Sequence, residues 1–123
     1  MGALSAILRG VEGGRIAFWC PGCDEAHQIA VGDGPGARWS WNGDAEKPVF
    51  GPSILVTGTE WLTDAEHARM MRGESIEPRP RRCHSFIGCN GAAPGQIVFL
   101  GDCTHALAGQ TINIPDWPTP CAA

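Results

Sequence analysis

The sequence predicts a small domain of the α+β class that is mostly β, built from short antiparallel strands with one helix. Three observations predict it. Seventeen glycines and ten prolines stand among 123 residues, a density of turn formers that keeps strands short and leaves little room for helix. Between those turns run short apolar stretches, several with the period-two alternation of half-buried strands. Only Asp64–Arg72 carries helix signals at both ends.

Taken in order, Arg15–Cys20 reads as a strand that ends at Pro21-Gly22, and His27–Val31 as its partner. The two form a hairpin whose tip carries Cys20 and Cys23. Asp33–Gly36 is a turn cluster. Arg38–Asn42 alternates with Trp39 and Trp41 on one face, and Asn42-Gly43 is expected to close it as a hairpin turn. Ser53–Thr57 is a short apolar strand. For the helix, Thr63 stands at the N-cap with Glu66 three residues later, the capping-box pattern, and Gly73 sits where a left-handed cap is wanted. Glu74–Arg82 is a proline-punctuated loop, so residues from about 60 to 82 form a helical excursion within a single domain spanning 1–123. Strands follow at Cys83–Ile87, Gln96–Leu100 and Thr111–Ile114, with a tight turn at Asp102–Ala108 ended by Gly109. The sum is about seven strands and one helix.

Composition narrows the function classes. Apolar residues at 43% and charged residues at 18% are those of a globular chain. The net charge of -4 disfavours nucleic acid as a partner. Arg79, Arg81 and Arg82 form a local cationic exception and read as an exposed, solvated loop. No apolar run approaches the roughly 20 residues of a membrane span, and the apolar patch near the N-terminus is too short for a signal peptide's core. A cytoplasmic location follows as the expectation. In that reducing compartment the six cysteines are better suited to metal than to disulfides.

Cys20-Pro21-Gly22-Cys23 is the sharpest signal. Two cysteines two residues apart around Pro-Gly form a knuckle that aims both sulfurs at one point. A redox pair would open a helix after a strand; here a turn and a strand follow. A tetrahedral zinc ion needs two more ligands, and Cys83, His84, Cys103 and His105 offer them. If Cys83 and His84 lie on a strand, they point to opposite faces. The simplest shell is Cys20, Cys23, Cys83 and Cys103, with His84 or His105 as alternates. That choice leaves His84, His105 and Asp102, with His27 near them, as a candidate catalytic group or as side chains that orient the thiolates and hydrogen-bond the main chain. Cys89 in a Gly/Asn-rich turn, Cys121 near the end and His67 on the helix carry weaker signals.

These motifs also carry a resemblance. Phe18-Trp19-Cys20-Pro21-Gly22-Cys23 with His27, Trp39-Ser40-Trp41-Asn42-Gly43, Pro52-Ser53-Ile54-Leu55, Cys83-His84-Ser85-Phe86-Ile87 and Gly101-Asp102-Cys103-Thr104-His105-Ala106-Leu107-Ala108-Gly109-Gln110 recur together. They resemble those of a family of small phage and prophage proteins whose members often bear the label "ammonia monooxygenase". The resemblance spans about residues 15–117. It implies that Cys20, Cys23, Cys83, His84, Cys103 and His105 occupy the recurring positions. It also implies an association with bacterial ubiquitin-like conjugation, where a metal-dependent peptidase would fit. The label itself implies a large copper membrane complex, which a chain without an apolar span does not match. The Gly88–Gly95 stretch is longer than the family's tight turn.

Three functions fit these observations. The first is a zinc-binding phage-type accessory protein that acts in the bacterial host by binding a host protein, with counter-defence as one such role. The second is a metal-dependent hydrolase or peptidase using His84, His105 and Asp102. The third is a nucleic-acid-binding zinc module using Arg72, Arg79, Arg81 and Arg82. Exposed strand edges would also allow self-pairing of chains.

Overall fold

A computed structural model describes residues 2–60, 62–77 and 79–118. Nine strands and one helix form among them. The first sheet is an antiparallel meander of β1 (Gly2–Ala3), β2 (Leu8–Val11), β3 (Arg15–Cys20) and β4 (Glu25–Ala30). The second is a meander of β5 (Ser40–Trp41), β6 (Phe50–Thr59), β7 (Pro80–Ile87), β8 (Gln96–Phe99) and β9 (Thr111–Asn113), with helix α1 (Asp64–Met71) between β6 and β7. The mostly β, α+β architecture is therefore as expected.

Strand alternation decides what each sheet buries. Ile16, Phe18 and Cys20 of β3 and His27 and Ile29 of β4 turn inward. From the second sheet Ile54, Cys83, Ser85, Ile87, Ile97 and Phe99 do the same. The apolar members form one core shared by both sheets. Phe18, Phe50 and Phe99 are fully buried there, each contributing about 2–3 kcal/mol relative to exposure. The sheets are tied at their margins as well. Trp39 donates its main-chain N–H to Ala30 at 2.8 Å, and Arg81 of β7 pairs with Glu25 of β4. Trp117 packs on Trp19 at 5.8 Å between ring centroids and donates its indole N–H to Ile7 at 3.0 Å.

The helix keeps its expected caps. Thr63 accepts from the Glu66 N–H, Glu66 reciprocates to the Thr63 N–H, and Gly73 takes a φ of +90° just past the end. None of its described residues is buried, so α1 is held from outside. Arg79 does this by bridging Glu60 at 2.9 Å and Glu66 at 3.0 Å.

Three expectations are corrected. The N-terminal hairpin of β1 and β2 was not expected; Leu8 anchors it in the core although its neighbours Arg9 and Gly10 break the apolar pattern. Asn42-Gly43 does not close a two-residue turn, because β6 starts only at Phe50. The Asn42 side chain instead organises a wide loop, accepting from Asp44 and Val49 and donating to Lys47. Finally, Arg81 and Arg82 lie on β7 rather than in a loop. β6 extends to Thr59, which pairs with Pro80, and proline is tolerated as the first residue of a strand.

Candidate functional site

The β3–β4 hairpin delivers Cys20 at the last position of β3 and Cys23 in the turn, where Asp24 adopts a φ of +55°. The Cys23 N–H lies 3.4 Å from the Cys20 sulfur, the main-chain support expected of a knuckle. From the other sheet, β7 turns Cys83 inward, 3.9 Å from Cys20, sulfur to sulfur. His105 arrives from the turn after β8, with its Nε2 3.4 Å from the Cys83 sulfur. Its ring stands edge-on to Phe99 at 4.6 Å, and its Nδ1 accepts from the Leu107 N–H at 3.2 Å. Gly22 makes the approach feasible. A Cβ on that residue would overlap the His105 imidazole.

Four donor atoms, from Cys20, Cys23, Cys83 and His105, thus lie within 4.8 Å of one another, and the group can hold a metal ion. The spacings suit one. A tetrahedral shell with metal–sulfur bonds of about 2.3 Å and metal–nitrogen bonds of about 2.0–2.1 Å has edges of about 3.8 Å and 3.6 Å. Without an ion, the cluster shares its charge unevenly. The Cys83 thiol, hydrogen-bonded to Cys20, brings Cys20 down to about 4 against the opposing effect of burial, with His27 assisting. Burial and the neighbouring Cys20 charge push Cys23 up to about 11. Cys83 is pushed up as well, because its proton serves Cys20. A dication removes this conflict by letting all three thiols ionise.

His105, one of the expected alternates, rather than Cys103 lies with Cys20, Cys23 and Cys83 in this group. The turn after β8 is the physical reason. It lays the Cys103 sulfur against the main chain of β7, 3.2 Å from both the N–H and the carbonyl of His84, and carries His105 onward to the thiols. A second group shares Cys23: with Glu25 and His27 it places three donor atoms within 4.8 Å. The His27 Nε2 is buried without a hydrogen-bond partner, while its Nδ1 lies 3.8 Å from Glu25.

On the outer face of β7 stands a different arrangement. His84 points away from Cys83, as alternation requires. Its Nδ1 is 3.3 Å from Asp102, which Arg82 also holds at 3.3 Å. Partial desolvation opposes the shift, yet the hydrogen bonds from Arg82 and His84 keep the Asp102 carboxyl below the ordinary carboxylate range. The ring of His84 lies against Phe86 at 6.3 Å, and its side chain is 25% exposed, so the imidazole is reachable. The expected set of His84, His105 and Asp102 is thus divided. His105 belongs to the thiols inside, and His84 with Asp102 forms a polar pair outside.

The remaining residues are placed as follows. The Cys89 sulfur faces the Phe50 carbonyl at 3.7 Å and joins neither group. His67 is exposed on α1. Cys121 and Trp61 lie outside the described residues. Arg79, Arg81 and Arg82 each have a carboxylate partner, which leaves little free cationic charge for phosphate. No helix among the described residues is long and apolar enough to cross a membrane.

A family profile described as bacterial ubiquitination-like system serine protease (BubE) matches residues 3–94. The chain belongs to the BubE family. The match covers both sheets as far as the loop before β8, including Cys20, Cys23, Cys83 and His84. Asp102 and His105 lie beyond it. The match agrees with the ubiquitin-like association that the sequence resemblance implied, and it names no phage family. No curated protein and no solved structure matches this BubE-family chain.

Proposed function

We propose that this chain is a serine-type peptidase of a bacterial ubiquitination-like system, with His84 and Asp102 as its acid–base pair and a structural zinc ion in its core. The observation that carries the reading is the hydrogen-bonded His84–Asp102 pair on the accessible face of β7. A carboxylate on Nδ1 fixes the imidazole tautomer and leaves Nε2 to accept a proton from a hydroxyl nucleophile, the arrangement that acyl transfer requires. The family's description supplies the reaction class and the setting. The expected substrate is a peptide or isopeptide bond at the C-terminus of a ubiquitin-like protein.

The zinc assignment rests on donor chemistry. Three thiolates with one imidazole are a shell that zinc favours, and four protein ligands leave no open position for substrate. The ion would be held by Cys20, Cys23, Cys83 and His105, where it joins the sheets. A metal-dependent hydrolase would need His84, His105 and Asp102 around one ion, and neither donor group among the described residues contains His84 or Asp102. The family match also favours the ubiquitination-like role over a phage accessory that binds a host protein.

The test is hydrolysis of a ubiquitin-like protein bearing a C-terminal peptide extension. Wild type should release the extension, and His84→Ala should lose roughly 10²–10⁴-fold in rate while keeping its zinc. Full activity in His84→Ala would sink the reading.

A further inference from the structure

We propose that Cys23, Glu25 and His27 form a second metal site, for a divalent ion of the zinc class, which shares the Cys23 thiolate with the core cluster. The inference rests on the metal assignment of that cluster and is independent of the His84–Asp102 pair.

The spacing in the sequence builds the site. Cys23-Asp24-Glu25-Ala26-His27 runs from the hairpin turn into β4. Alternation along β4 puts Glu25 and His27 on one side of the strand, half-buried and buried, while Ala26 between them is exposed. The turn residue Asp24, at a φ of +55°, links them to Cys23. One donor atom from each of Cys23, Glu25 and His27 lies within 4.8 Å of the other two.

A second observation points to a ligand. Among the described residues only two buried side-chain nitrogen or oxygen atoms lack a hydrogen-bond partner, His27 Nε2 and Arg81 Nε. Both residues flank Glu25. His27 Nδ1 lies 3.8 Å from Glu25 Oε1, and Arg81 pairs with that same oxygen. His27 is 4% exposed, and an unpaired polar atom at that depth carries a desolvation cost that a bound ion would relieve. Glu25 keeps capacity for the ion as well, because its Oε2 meets no donor among the described residues.

Charge and donor chemistry agree on the kind of ion. With the core ion in place, three thiolates and the Glu25 carboxylate face one dication and the Arg81 guanidinium, which leaves one negative charge in excess. Thiolate, imidazole and carboxylate together suit zinc and its neighbours, whereas calcium and magnesium ask for oxygen donors alone. A thiolate sulfur has lone pairs enough to bridge two ions. Three protein ligands leave a fourth position, and the Glu25 side chain is 34% exposed, so water can fill it. With one ligand shared and one position left to water, the second ion is held less tightly than the first. Purified protein then carries the core ion, and the second enters when metal is added.

The test uses full-length protein produced with cobalt(II) in the core site and then titrated with further cobalt(II). Wild type should take up one more equivalent. Its arrival should diminish the electron paramagnetic resonance of the first, since a shared sulfur couples the two spins. His27→Gln should keep the core cobalt and its thiolate absorption. It should bind the second equivalent more weakly by over roughly 100-fold, a larger loss than the roughly 10–100-fold of a residue that merely supports a ligand. Glu25→Gln, at a half-exposed position, should weaken it too. Wild type alone decides the stoichiometry, so the result does not hang on the folding of the variants. Uptake of no further equivalent would overturn the second site and leave the core site standing. A second equivalent that survives His27→Gln is an adventitious ion only, and an undiminished resonance means that Cys23 is not shared; either overturns the proposal. Wild type that holds no cobalt at all would overturn both sites.

Discussion

Replacing Gly22 by alanine should cripple metal binding without touching a ligand. The new methyl group would occupy space now filled by the His105 imidazole. His105 must therefore swing away, leaving Cys20, Cys23 and Cys83 to hold the ion. Structural zinc in small domains contributes ~10–16 kcal/mol, so one ligand of four is worth about 3 kcal/mol, or roughly 100-fold in affinity. Competition against a chromophoric chelator measures that change. Thermal melts with and without chelator separate it from general damage. The metal-free protein should lose little, because the side chain at fault can rotate toward solvent, whereas the zinc-dependent rise in Tm should shrink. Wild-type zinc affinity in Gly22→Ala would refute the placement of His105 in the shell.

Further predictions follow from the same geometry. Cys83→Ser should drop zinc stoichiometry below one per chain, while Cys103→Ser, whose sulfur only meets the His84 main chain, should retain it; elemental analysis of purified protein decides between them. Asp102→Asn should lower hydrolysis by roughly 10²–10⁴-fold with zinc unchanged, because the imidazole loses the carboxylate that fixes its tautomer. Glu66 is held down to about 2 by Arg79 and the Thr63 N–H, below its usual 4.5. Since its folded-state value is depressed, its contribution to stability is complete above about 4.5 and is lost as the pH falls toward 2. Protection factors across α1, with the intrinsic pH dependence of exchange divided out, should therefore fall over that window, and Glu66→Gln should remove the dependence.

Much of the fold was legible because its cues are local. Strand β3 matches its expected bounds, since Arg15–Cys20 is closed by a Pro-Gly turn. The capping box of α1 is likewise written in residues three apart. The N-terminal hairpin was not legible, as β2 owes its stability to core packing by Leu8 rather than to an alternating pattern. At the site, the knuckle and the opposed faces of Cys83 and His84 followed from spacing alone. The choice of His105 over Cys103 did not. It depends on how the turn after β8 lies against β7 and on a missing side chain at Gly22, more than 80 residues earlier in the chain.

Cys83 and His84 are consecutive, one in the buried thiol cluster and the other on the accessible face of β7. On the proposed reading, the peptide unit between them is a lever with the ion at one end and the acid–base histidine at the other. Stripping that ion would then let β7 shift and misalign His84, so a chelator should inhibit the proposed hydrolysis even though the metal would not meet the substrate. Such inhibition would imitate a metalloprotease. It would also make the proposed activity contingent on the metal supply of the cell, so that starvation for zinc would silence it through the framework rather than the chemistry.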